Sequence, residues 1–222
     1  MKRFFPLYFL LLSLSVVGQN QPWVSYFSYN DIVDVSQSSS RVFGAAGSAM
    51  FEKNMGTNDL KTITSVDGLK ADGISAVHYS TNYNKTLVGN SNGLLIIINA
   101  DNSIVNKIGI VQEATILASK KRINHILEYN GKAYLSCDFG IAVFDLSTLE
   151  FGDTYYLGPN GSEIPVKQAA IHNGNIYAAS SSDGVRFAAL SNPNLNDYTQ
   201  WTQYVYGNVP CILTYDGQLY IS

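Results

Sequence analysis

The stretch NGKAYLSCDFGIAVFDL, Asn130–Leu146, decides the fold: a turn dipeptide, a short apolar run, a lone glycine and a second apolar run. The phrase returns as NGNIYAASSSDGVRFAAL, Asn173–Leu190, and opens again as DGQLYIS, Asp216–Ser222, so that Gly131, Gly174 and Gly217 stand 43 residues apart each time. An Asn-Gly or Asp-Gly pair supplies two residues that accept positive φ, which a two-residue hairpin turn requires. The later glycine of each phrase sits at the next tight turn, where a Cβ would clash. Each phrase is therefore a run of antiparallel strands, written at a fixed stride.

The stride extends backwards once insertions are allowed. Gly47, Gly93, Gly140 and Gly184 each separate two apolar runs, at spacings of 46, 47 and 44 residues. Every copy begins with a short strand (DIVDVS, GISAVHY, RINHILEY, VKQAAIH, PCILTYD), and a fourth stretch such as SIVNKIGI or FGDTYYLG often follows. Four short strands in some 45 residues match the blade of a β-propeller, in which small sheets pack face to face around an axis. The expected fold is all-β: a propeller of four blades and a truncated fifth, an incomplete, open arc with Gly47, Gly93, Gly140 and Gly184 at equivalent turns. Because the last copy stops at Ser222 inside its second strand, the chain reads as truncated. The segment QEATILASKKRI, 112–123, is irregular in its apolar spacing and reads as an exposed connection between blades.

Composition agrees with pleated strands and tight turns. The chain has 222 residues, 46% hydrophobic and only 14% charged, with 15 Tyr and 18 Gly. Lys2 and Arg3, the apolar run FFPLYFLLLSLSVV and the small residues before Gln19 read as a secretion signal over residues 1–18, leaving one domain, residues 19–222. Without Lys2 and Arg3 the 14 basic residues become 12 against 17 acidic ones, a net charge of about −5 that disfavours nucleic acid and other anionic partners. Cys137 and Cys211 fall in different slots of the repeat, so they are expected to stay unbonded.

The phrases QPWVSYFSYNDIVDVSQ, VDGLKADGISAVHYS to LVGNSNGLLIIIN, KKRINHILEYNGKAYLSCDFGIAVFDLSTLEFGDTYYLG and LSNPNL together resemble the N-terminal propeller of PorZ-like proteins of the type IX secretion machinery of Bacteroidetes. Single units also look like the propeller repeat of two-component regulators. The resemblance implies an exported, non-enzymatic component of the attachment complex at the cell surface or outer membrane, or in the periplasm, working with the sortase that joins cargo to anionic lipopolysaccharide. In that family a further propeller and a C-terminal domain follow, and the lipopolysaccharide role goes with the C-terminal domain.

The residues themselves offer little chemistry. GNSNG, Gly89–Gly93, satisfies G-x-S-x-G, yet LLIIIN after it is a strand where a nucleophile elbow needs a helix, so a hairpin turn is expected. His78, His125 and His172 stand 47 apart, but alignment of the units puts His78 opposite Leu127, His125 opposite Ala76 and His172 opposite Tyr129. They read as separate surface or turn histidines and not as a metal ring. NADNS, Asn99–Ser103, reads as a turn and not a calcium loop, because it lacks the spacing and the closing glutamate. No catalytic residue, metal or cofactor is expected. Partner contact falls to Lys120, Lys121 and Arg122, on a solvated loop, and to Tyr155 and Tyr156, one ring packing between blades and the other exposed. The function expected is a binding and assembly module; the alternative is the extracytoplasmic ligand-sensing propeller of a two-component regulator.

Overall fold

The computed structural model describes residues 31–70 and 73–222. The secretion signal expected over residues 1–18 lies outside them.

Eighteen strands form five antiparallel meanders among the described residues. The first sheet is β1 (Ile32–Gln37), β2 (Arg41–Ala46), β3 (Ala49–Asn54) and β4 (Leu60–Ile63). The second is β5 (Ile74–Ser80), β6 (Lys85–Asn90), β7 (Leu95–Asn99) and β8 (Ile104–Lys107). The third is β9 (Ile123–Tyr129), β10 (Lys132–Cys137), β11 (Gly140–Asp145) and β12 (Glu150–Tyr155). The fourth is β13 (Val166–His172), β14 (Asn175–Ser180), β15 (Gly184–Ala189) and β16 (Thr202–Val205), and the fifth has two strands, β17 (Ile212–Tyr215) and β18 (Gln218–Ile221). In every sheet spatial order equals chain order. The first strands touch one another in succession, β1 to β5, β9, β13 and β17, so they line the inside of an open arc of propeller blades.

The turns form for the reason the sequence supplies. Asn130 and Gly131 have φ of 47° and 76°, Asn173 and Gly174 46° and 75°, Asp216 and Gly217 48° and 69°: both central residues are left-handed each time. Gly47, Gly93, Gly140 and Gly184 all fall at the second-to-third strand connection, as the repeat predicts. Their slots differ, since Gly47 and Gly93 lie within the loop and Gly140 and Gly184 open the third strand. At Gly140, with φ 146°, an added Cβ would lie 2.2 Å from the Tyr155 carbonyl oxygen; at Gly184 it would lie 2.0 Å from that of Val205. Glycine lets the fourth strand approach there. Gly140→Ala is expected to cost about 1–3 kcal/mol, because both the dihedral and the backbone contact must change. A thermal melt checks it, and an unshifted midpoint would show that the close approach is dispensable.

The first strand of each four-stranded sheet also carries a β-bulge near its start, at Val33, Ser75, Asn124 and Lys167. The bulge turns side chains onto the neighbouring sheet: Ser75 Oγ donates to the Ile123 carbonyl at 2.7 Å and Asn124 Nδ2 to that of Val166 at 2.8 Å. Asp34 Oδ2 accepts from the Val77 N–H at 2.8 Å, and Gln168 Oε1 accepts from that of Ile212 at 3.3 Å. Inner edges that would otherwise be open are thus satisfied from next door.

Four apolar layers fill the spaces between sheets. Phe43, Met50, Val77 and Ile96 pack between the first and second, and Leu87, Ile97, Leu135 and Phe144 between the second and third. Tyr134, Tyr155, Val166 and Trp201 pack between the third and fourth, and Tyr177, Val185 and Ile212 between the fourth and fifth. Both cysteines are free, Cys137 buried and Cys211 partly so. The connection after β8 differs from the expectation of an exposed loop. It holds a turn of α-helix, Gly109–Gln112, and a 3-10 turn, Ala118–Lys120, and inserts Ile110 and Ile116 into the layer between the second and third sheets.

Candidate binding surface

Two grooves run along the first strands. One, of about 340 Å³, is walled by His125, Leu127, Tyr129, Gln168, Ile171 and Leu213; the other, of about 400 Å³, by His78, Tyr79, Thr81, Asn82 and Asn130. Glu128 and Tyr129 line both, so the grooves meet at the end of β9. At their junction His78 Nε2 lies 2.9 Å from Glu128 Oε2, and Asn82 Nδ2 donates to Glu128 Oε1 at 3.4 Å. Although part of the His125 side chain reaches solvent, its Nδ1 is sealed and has no hydrogen-bond partner. Burial, with His78 adding a smaller repulsion, pushes its pKa down to about 4. His125 is therefore neutral at physiological pH.

These histidines correct the reading of surface or turn positions. All three lie in first strands, β5, β9 and β13, and not in turns, and the Nδ1 of His125 is sealed from solvent. The repeat places them in their slots, and the neighbouring sheets enclose them. Among the described residues no cluster of three His, Cys, Asp or Glu could hold a metal.

The residues expected to meet a partner lie at the other end of β9. Lys120 Nζ donates to Glu163 Oε2 at 2.6 Å. Lys121 is buried and donates to the Val111 carbonyl at 2.7 Å, which contradicts its placement on a solvated loop. Only Arg122 of the basic run is exposed. Tyr155 closes β12, its ring 5.9 Å from Trp201 between the third and fourth sheets, and burial raises its hydroxyl to about 12. Tyr156 is half-buried 6.2 Å from Phe139, its hydroxyl raised first by burial and then by the carboxylates of Glu113 and Glu163. Lys120 and Tyr156 are thus brought together around Glu163, while Tyr155 and Lys121 serve packing.

Neither groove is lined by a serine or a cysteine. Ser91 sits in the β6–β7 connection, as a hairpin reading of GNSNG requires. The Cys137 thiol is held protonated by burial, its pKa raised far above the ordinary thiol value. In NADNS, Asp101 Oδ1 accepts from the Ser103 N–H at 2.9 Å, closing the β7–β8 turn.

The family described as "TSS9, PorZ, N-terminal beta-propeller domain" matches residues 42–202. No curated protein matches the chain in sequence. Among solved structures, PorZ of Porphyromonas gingivalis, a surface component of its type-IX secretion system, superposes with a TM-score of 0.70 at 17% identity over 86% of this chain. The extracellular domain of a one-component system of B. thetaiotaomicron superposes at 0.66 with 15% identity over 90% of this chain, and that of a hybrid two-component system of the same organism at 0.65 with 16% identity over 87%. The chain spans about a quarter of the length of those proteins, 26%, 27% and 27%. At these identities the superpositions speak for the fold alone, and the match over residues 42–202 speaks for descent. An open arc of four-stranded blades carrying that match belongs to the PorZ N-terminal β-propeller family.

Proposed function

We propose that the chain is an extracytoplasmic binding and assembly module of a type IX secretion attachment complex, acting by contact and not by catalysis. The observation that carries this is the family match over residues 42–202. The site supports it: grooves of neutral and paired groups, without a serine or cysteine nucleophile, suit recognition better than turnover. In this reading the chain supports the sortase-linked attachment of cargo to anionic lipopolysaccharide by holding protein components, and its net negative charge disfavours direct binding of the lipopolysaccharide. The likeness to extracellular domains of regulatory systems favours a second reading, a ligand-sensing propeller whose ligand fills the inner grooves.

Interferometry with purified sortase separates the two. Binding with Kd on the order of 10 μM or tighter is expected. Lys120→Glu with Tyr156→Ala should weaken it by about tenfold, the usual range when a charge is reversed and an aromatic ring removed from one interface. Absence of sortase binding at about 100 μM would sink the assembly reading.

A further inference from the structure

We propose that the tip of the β13–β14 hairpin is a site of covalent modification: Asn173 deamidates through a cyclic imide formed with the Gly174 nitrogen, and the His172 imidazole assists the departure of ammonia. This goes beyond the assembly reading and does not depend on it.

The chain holds four Asn-Gly pairs, at Asn92, Asn130, Asn160 and Asn173. Glycine favours closure of such a ring, because no side chain screens the attacking nitrogen and the backbone turns freely. All four asparagines are exposed, so exposure of the amide does not choose among them. The attacking nitrogens differ. The Gly93 N–H donates to the Asn90 carbonyl at 3.1 Å and the Gly161 N–H to that of Gly158 at 3.0 Å, and a nitrogen whose proton is held in this way gives it up less readily. The Gly131 and Gly174 N–H groups make no such backbone bond.

Space separates the remaining two. A Cβ at Gly131 would lie 2.8 Å from the Tyr83 hydroxyl, whereas one at Gly174 would meet nothing within 4 Å. Gly131 is partly buried and Gly174 is exposed. Ring closure has to rotate the Asn173 backbone out of its left-handed turn, φ 46°, and a tip standing in open space rotates without displacing a neighbour.

The leaving group singles out the same residue. Asn173 Nδ2 lies 3.0 Å from His172 Nε2, while the residues before the other three asparagines are Ser91, Tyr129 and Pro159, none of which exchanges a proton near neutral pH as an imidazole does. The Gly174 nitrogen loses its proton to water and bonds to Asn173 Cγ. The Cγ–Nδ2 bond breaks, and the imidazole passes a proton taken from water to Nδ2, which leaves as ammonia. Water then opens either carbonyl of the imide. The product is aspartate at position 173, or isoaspartate with the main chain running through Cγ. Water is consumed and ammonia released, with no change of oxidation state. Either product puts a carboxylate at the turn that matches Asn130, a residue lining the second groove, one sheet along.

Peptide mapping by mass spectrometry tests this on the whole chain held folded at neutral pH, with isoaspartyl methyltransferase labelling to mark isoaspartate. Asn173 should react several-fold faster than Asn92, Asn130 and Asn160. In urea that ranking should collapse, because each asparagine is followed by the same residue and the fold no longer chooses. His172→Gln should slow Asn173 in the folded chain by about fivefold, less than a buried proton donor supplies because water competes at an exposed tip. A thermal midpoint checks that the variant folds, and His172→Phe replaces it if it does not. An Asn173 that stays intact, another Asn-Gly pair that reacts first, a ranking that persists in urea, or a rate unchanged without the imidazole each overturns the proposal.

Discussion

Replacing Phe144 with alanine is expected to destabilise the chain by about 3–5 kcal/mol. Phe144 is fully buried between the second and third sheets, its ring edge-on to Phe151 at 5.1 Å and part of the layer that contains Leu87, Leu135 and Ile97. Sheets that touch only their neighbours hold together through these layers, so a void in one layer acts directly on the link between two blades. Part of the cost is lost transfer energy and part is the cavity, because an interface of two pleated faces cannot close around a missing ring. A urea titration should show a lower midpoint with the slope preserved. Tyr206→Ala is the control: its side chain is 84% exposed, and the change should stay within about 0.5 kcal/mol. A Phe144→Ala loss below about 1 kcal/mol would mean that the layers do not bear the stability of the arc.

The second large effect is a loss of stability on mild acidification, traced to His125. Its folded pKa of about 4 lies below the ordinary 6.5, chiefly through burial. Below pH 6.5 the unfolded chain takes up a proton that the folded chain refuses until pH 4. The unfolded state then binds more protons, so stability falls as pH falls through that window and is level above it. A difference of some 2.5 units corresponds to about 3 kcal/mol at the acidic end. His78 and Glu128 stand beside it, and carboxylates titrate over part of the same range, so the informative quantity is a difference between proteins. His125→Gln should flatten the wild-type slope between pH 6.5 and 4 by that amount, measured by urea titrations at several pH values. Equal slopes in the two proteins would place the histidine in solvent.

The sequence by itself determined the strand run, the five-fold repeat and the turns. Those features are local: Asn130–Gly131 must take two positive φ values, and Gly140 must leave room for a carbonyl, whatever the rest of the chain does. The histidine slots followed from the same repeat. What the sequence did not show depends on which faces of different sheets meet, between residues some 40 to 50 apart. His78 finds Glu128 across 50 residues and Lys120 finds Glu163 across 43. Lys121 reads in sequence as one of three solvated cations, but the chain between β8 and β9 folds over it and offers the Val111 carbonyl. Tyr155 and Tyr156 are adjacent and alike in sequence, yet one packs on Trp201 and the other lies beside Phe139, because successive side chains point to opposite faces. Periodicity states that a side chain leaves one face of a strand; only the packing of the neighbouring sheet decides whether that face is solvent, core or groove.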